Sequence, residues 1–142
     1  MKLFTRVMKA LSDSNRVKIV KILQQKGMCV CELQASLKIT QPSVSKHLKI
    51  LEDAGLVASS KDGIWVNYRL SNGDTNPYVT CLLTNLRQWL NDDPDVESLI
   101  KCLPLIDRES ICRKQAPAVN SIRTLGSTND NTIHKDETPA RG

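Results

Sequence analysis

Residues 28–56 read MCVCELQASLKITQPSVSKHLKILEDAGL, and the fold depends on how that stretch is parsed. Its second half is a helix with both ends marked. Thr40 is a good N-cap, because its hydroxyl can satisfy a free N–H of the first turn. Pro42 falls in that turn, where a missing N–H costs little. Val44, Leu48 and Leu51 recur at i, i+4 and i+7, flanked by Ile50 and Ala54, and form one apolar face. Gly55 stands where a helix commonly ends. The opposite face carries Gln41, Ser43, Ser45, Lys46 and Lys49, short hydrogen-bonding groups and cations without an acid. Such a face suits a major groove, where Gln and Ser meet base edges and Lys meets guanine or phosphate. An ordinary helical hairpin with a polar outer face would read the same way on this segment alone. Upstream, Cys31 to Leu37 reads as a short helix, and Lys38-Ile39-Thr40 as the tight connection of a helix–turn–helix.

Working outward, Leu56 to Ser60 reads as a strand and Lys61-Asp62-Gly63 as a turn. Ile64, Val66, Tyr68 and Leu70 alternate with Trp65, Asn67 and Arg69, which predicts a return strand with one buried face. A helix–turn–helix followed at once by a β-hairpin is a winged helix. Lys61 at the expected tip and Arg69 on the wing are candidate phosphate contacts, although each is also an ordinary surface cation. Charge supports the reading. Residues 1–70 hold twelve Lys and Arg against five Asp and Glu, a net charge of +7, whereas residues 71–115 carry −2 and residues 116–142 carry none. The basic half is the half with the winged helix, as a phosphate-facing surface requires.

The thiols Cys29 and Cys31 open the first helix of the helix–turn–helix. Residues i and i+2 on an α-helix lie about 200° apart around the axis. In extended backbone they point the same way. Chelation of one ion by both sulfurs therefore requires a first turn that is frayed or that unwinds on binding. A helix N-terminus is also expected to lower thiol pKa. Thiolate-only ligands select soft ions.

CVCEL, TQPSVSKHLKILEDAGLV and GIWVNYRLS together resemble the arsenic-repressor (ArsR/SmtB) family of metal-responsive bacterial repressors, over about residues 1–92. The resemblance implies a homodimeric winged helix that sits on its operator and leaves when metal binds. It implies that Cys29 and Cys31 form an inducer site for As(III) or Sb(III), with no constitutive cofactor. The arsenic sensors of this type often read CVCDLC, but Gln34 stands at the last position here. Cys102 and Cys112 are candidates for a third sulfur, from the same or the other subunit. Cd(II) and Pb(II) sensors resembling this family share the CVC but add thiols from an N-terminal extension, and residues 1–27 contain no Cys. A Cd(II)- or Pb(II)-responsive repressor, or a thiol-redox-responsive one, is the alternative within the same fold. A disulfide oxidoreductase would want C-x-x-C on a βαβ frame, so no enzyme is expected.

The flanks complete the expected organisation, a mainly α homodimer with a small β-hairpin. Leu3, Val7, Met8 and Leu11 recur at helical spacing in residues 1–11. Ser12-Asp13-Ser14 is a break and a cap, and Asn15 to Gln25 a second helix with Val17, Ile19, Val20, Ile22 and Leu23 inside. Arg16 is a position where the family has an Arg that pairs with an acid or touches phosphate. Asn76 and Pro77 start a helix expected to run to residue 92. Its stripe Tyr78, Val79, Leu82, Leu83, Leu86, Trp89 and Leu90 is broad enough to read as a dimer helix. The expected interface is Leu3, Val7, Val79, Leu82 and Leu86. Cys81 reads as a small packed hydrophobe, and no zinc site is expected on this helix, which has neither His nor Asp before Asp92. Residues 1–92 read as the DNA-binding and dimerisation domain, 93–115 as a helical extension disturbed at Pro104, and 116–142 as a disordered tail. There is no run of 18 apolar residues and no apolar leader, and five Cys without an export signal suggest a reducing, cytoplasmic setting without membrane contact.

Overall fold

Helix α4 (Gln41–Asp53) is built as its sequence dictates. Thr40 is the N-cap, its side chain accepting from the Ser43 N–H at 3.4 Å, with Pro42 in the first turn. At the other end Gly55 takes φ +79°. The Gly55 N–H reaches the Glu52 carbonyl and the Leu56 N–H the Leu51 carbonyl, both at 3.0 Å. This paired closure is the Schellman stop, which favours a residue without Cβ. Val44, Leu48 and Leu51 are fully buried.

The structure is a computed structural model that describes residues 1–74 and 76–115, with side chains described as far as Ile111. The expected tail at 116–142 and the side chain of Cys112 lie outside the described residues. Around α4 the chain forms α1 (Lys2–Ala10), α2 (Ser14–Leu23), β1 (Met28–Cys29), α3 (Val30–Leu37), β2 (Val57–Asp62), β3 (Trp65–Leu70), α5 (Pro77–Leu86) and α6 (Pro94–Cys102). A 3-10 turn, Leu103–Leu105, follows, and α7 (Arg108–Gln115) ends the described chain. Met1–Arg108 is one compact unit, and the chain from Glu109 belongs to another. Val7, Ile19, Val20, Ile22, Met28, Leu33, Val44, Leu48, Leu51, Leu56 and Val79 form the centre of the core, and Leu99 and Leu103 join it. No helix among the described residues is long and apolar enough to cross a membrane.

The wing is a three-stranded antiparallel sheet in the order β1-β3-β2, not a bare hairpin. Met28 pairs with Tyr68 and Cys29 with Asn67. Lys61 lies within β2 opposite Val66, and the tip is Gly63-Ile64 between the paired Asp62 and Trp65. Gly63 at φ +65° starts this two-residue turn, which a residue with a Cβ would resist. The expected buried face of the return strand holds only near its base, at Tyr68 and Leu70. Ile64 is 90 % exposed and Val66 38 %, because the tip extends past the body and has nothing to pack against.

Helix α5 is shorter than its apolar stripe suggested. It stops at Leu86, and Leu90 adopts a left-handed φ of +64°. The cause lies on α2. Lys21 is 1 % exposed, and its ammonium donates to the carbonyl oxygens of Leu86 (2.6 Å) and Trp89 (2.9 Å) and to Asn91 Oδ1 (2.7 Å). A cation held by the last carbonyls of a helix satisfies groups that have no partner within it. Burial pulls the Lys21 pKa below that of a free lysine. Lys21→Met keeps the length and removes the donors, leaving buried acceptors unpaired. We expect it to lower the unfolding free energy by about 3 kcal/mol, read from the midpoint of urea denaturation at constant m-value.

Candidate thiol site and nucleic-acid interface

The start of α3 falls between the two thiols. Cys29 is the N-cap, in extended backbone (φ −87°, ψ 172°), whereas Cys31 is already in the first helical turn. The helix therefore begins at Val30, one residue earlier than its sequence suggested. A capping box closes the end: the Glu32 carboxylate accepts from the Cys29 N–H at 3.0 Å, and the Cys29 side chain faces the Glu32 N–H. Cys29 is 3 % exposed and Cys31 half-buried. The expected lowering of the thiol pKa does not hold for Cys29. Burial pushes that thiol up, against the opposing pull of the Glu32 N–H, and the adjacent Glu32 carboxylate adds to the rise.

The other thiols stand apart. Among the described residues no group of three His, Cys, Asp or Glu side chains converges to hold an ion, so Cys102 does not join Cys29 and Cys31 within one chain. Cys102 is exposed and lines a groove with Lys18, Ser36, Leu37, Leu99 and Ile106. Cys81 is exposed rather than packed, with its sulfur 3.5 Å from Asn85 Nδ2. The outward side of α5 has no core to offer it.

The polar face of α4 is open. Gln41, Ser45, Lys46 and Lys49 are exposed and Ser43 half-buried. The Thr40 hydroxyl donates to Ser43 Oγ at 2.9 Å, and Lys49 pairs with Asp53 at 3.3 Å. Lys61 and Arg69 are exposed on the wing, Arg69 opposite Ala58. Arg16 does pair with an acid, 4.0 Å from Asp13, but its stronger bonds run to the end of α1. Its Nε donates to the Ala10 carbonyl at 2.6 Å and Nη2 to the Lys9 carbonyl at 3.2 Å. Arg16 Nη1 lies 3.4 Å from His47 Nδ1 on the half-buried side of α4.

Three of the residues expected to pair subunits, Val7, Val79 and Leu86, occupy the core of the single chain, at 0 %, 0 % and 5 % exposure. Leu3 is exposed and Leu82 half-buried. Phe4, Met8, Tyr78, Trp89 and Leu90 are the further exposed apolar side chains of α1, α5 and the turn after it. Phe4 and Tyr78 meet edge to face with centroids 5.3 Å apart.

Sequence reasoning missed Arg108. Its Nε and Nη2 donate to Glu32 Oε1 at 3.2 and 3.1 Å, Nη2 also donates to Asn67 Oδ1, and Nη1 lies 3.7 Å from Asp62. The guanidinium carbon sits 4.9 Å over the Trp65 ring. Glu32 alone had a signal, an acid three residues after an N-cap position. No local pattern marks a partner 76 residues away.

Residues 13–59 match the family model described as bacterial regulatory protein, arsR family. The arsenical resistance operon repressor of Escherichia coli (strain K12) is 33 % identical over 101 residues, which cover 69 % of this chain and 82 % of that one. The HTH-type transcriptional repressor SmtB of Mycobacterium tuberculosis is 42 % identical over 66 residues, 46 % of this chain and 49 % of that one. Among solved structures, the homodimeric winged helix-turn-helix DNA-binding domain of a possible ArsR-family regulator from Mycobacterium bovis superposes with a TM-score of 0.55 at 24 % identity, covering 64 % of this chain and 81 % of that domain. With the capped α4, the wing behind it and these likenesses, the chain belongs to the ArsR family of bacterial transcriptional regulators and has their winged helix–turn–helix fold.

Proposed function

We propose that the protein is a metalloid-responsive repressor that binds operator DNA as a homodimer through α4 and the wing, and is released when As(III) or Sb(III) joins Cys29 and Cys31. The observation that carries this reading is the helix start between the thiols. Cys29 is already extended, so only Val30 and Cys31 must leave the helix for both sulfurs to face one ion. Arsenous acid then exchanges two of its hydroxyls for two thiolates. Two As–S bonds form, two As–O bonds break, the thiol protons leave with the hydroxyls as water, and arsenic stays trivalent. Opening the turn shifts α3, and α4 packed on it moves with it. A shift of about 1 Å would break bidentate base contacts worth roughly 1–3 kcal/mol each.

The test is operator binding by fluorescence anisotropy, with arsenite, antimonite, Cd(II), Pb(II), Zn(II) and peroxide added in turn. Cys29→Ser and Cys31→Ser should each bind operator as the parent does, yet fail to leave it on addition of arsenite. Release of the double variant by arsenite would overturn the thiol assignment. Release of the parent by Cd(II), Pb(II) or peroxide alone would favour a sensor of another soft ion, or of oxidation, on the same fold. Cys102→Ser and Cys112→Ser tell whether a third sulfur takes part: loss of response assigns it, and a full response leaves a two-thiol site.

For the DNA face, Gln41→Ala or Ser43→Ala should weaken operator binding about tenfold while leaving non-specific binding little changed. Ser45, Lys46, Lys49 and Arg69 complete the proposed contact surface. Lys61→Ala should weaken both kinds of binding alike and reduce the slope of log affinity against log salt by about one. Equal losses on both DNAs for Gln41→Ala would remove it from the groove.

Pairing is assigned to the exposed apolar face of α1 and α5, with the homodimeric relative as support. Leu3→Arg and Leu82→Arg should sediment as monomers and lose operator affinity, because two half-sites must be held together. Leu86→Arg should instead unfold the chain, since its side chain is in the core. A parent that sediments as a monomer at micromolar concentration would sink this assignment.

A further inference from the structure

Glu32 is a carboxylate with 4 % of its surface exposed. A charge so far from water needs a partner, and Arg108 is that partner. The same guanidinium reaches Asn67 and Asp62 and covers Trp65, and these three residues belong to the wing strands. Asn67 is itself tied to Asp62, Nδ2 to Oδ2 at 3.2 Å, and its backbone pairs with Cys29 in the sheet. One fork of N–H donors therefore holds the N3 residue of the thiol-bearing turn and the wing at once. Arginine suits this place and lysine does not, because the contacts need several donors in one plane.

We propose that Arg108 is a positioning residue of the inducer site, which holds the first turn of α3 closed through Glu32 and passes its opening to the wing through Asn67 and Asp62. The inference rests on the reading of Cys29 and Cys31 as that site. For the sulfurs to converge, Val30 and Cys31 must unwind, and the Cys29 N–H must leave the Glu32 carboxylate. Glu32 then follows its own backbone, or stays with Arg108 against it. Either way the guanidinium moves relative to Asn67, and β3 is disturbed along with α4. The clamp opposes metalloid uptake in the DNA-competent state, and its release makes the wing part of the response.

The experiment uses the full chain and inorganic arsenite, followed by the ultraviolet thiolate-to-arsenic band, free and on operator DNA. Arg108→Gln should tighten arsenite binding to the free protein about tenfold, the scale of one charge-assisted hydrogen bond. It should also shrink the ratio of the free to the DNA-bound arsenite affinity by a similar factor. Amide exchange without arsenite should speed up together at Cys29 and at the wing pairs around Asn67. Arg108→Lys should restore the arsenite affinity in part and the ratio not at all, because it keeps charge at Glu32 without the fork. Glu32→Gln supplies a second route if Arg108→Gln folds poorly, and combining the two should add little to either alone. Lower thermal stability with unchanged arsenite affinity and unchanged ratio would reduce Arg108 to a structural brace and overturn the proposal. Faster exchange at Cys29 with an unmoved wing would overturn its second half. If Cys29→Ser/Cys31→Ser binds arsenite as the parent does, the thiol reading falls and the role of Arg108 at the inducer site falls with it. Loss of arsenite binding in that variant, with unchanged affinity and ratio in Arg108→Gln, overturns the Arg108 proposal alone.

Discussion

A carboxylate buried beside a thiol sets the terms for the rest of the structure. Glu32 accepts from the Cys29 N–H and from two nitrogens of Arg108 on a single oxygen. Without these bonds the charge would have no place at 4 % exposure. With them it fixes where α3 begins, and therefore which thiol is helical and which is extended. It also raises the affinity of Cys29 for its proton, adding to the effect of burial. A thiol that holds its proton is a poorer nucleophile than a thiolate, so in the proposed mechanism the attack on a soft ion would begin from the less enclosed Cys31.

Lys21 does the corresponding work at the other side of the core. Its three acceptors lie at the end of α5 and in the turn beyond it. Ending the helix at Leu86 turns Trp89 and Leu90 outward, so the apolar stripe divides. Val79, Leu83 and Leu86 serve the single chain, while Tyr78, Trp89 and Leu90 remain on the surface with Leu3, Phe4 and Met8. A helix running on to residue 92 would have presented a continuous ridge. A fully buried cation on α2 thus shapes the surface assigned here to subunit pairing.

The sequence made the helix–turn–helix legible for a physical reason. Caps, a proline in the first turn, a helical period and a glycine stop all act within α4, so each could be read locally, and they agree. The wing was legible as two strands, but its buried face was not. Alternation reports a half-buried strand only where a body lies beneath it, and Ile64 has none. Strand β1 is two residues long, too short to carry a period, and exists because Met28 and Cys29 meet Tyr68 and Asn67 across the fold. The same holds for Lys21 and Arg108. Their roles come from partners 41 to 76 residues away, and no short window along the chain contains both ends. The thiol pair was visible as a motif. Its distinctive feature, the helix boundary between the sulfurs, coincides with a capping box whose carboxylate is also bound by Arg108.

The size of the response follows from how little has to move. A ligand shifts an equilibrium only by its differential affinity for the two states. In the proposed mechanism that difference comes from one helical turn, one capping box and one arginine fork. Couplings between sites are typically about 1–3 kcal/mol, or roughly 5- to 150-fold. One protomer acting alone would therefore leave much of the operator occupied. Two protomers on one operator add their free energies, and the factors multiply to roughly 25- to 20,000-fold if the sites act independently. The pairing surface on α1 and α5 then matters twice. In the proposed dimer it would hold two α4 helices at the spacing of two half-sites, and it would turn a modest change at each thiol turn into effective release.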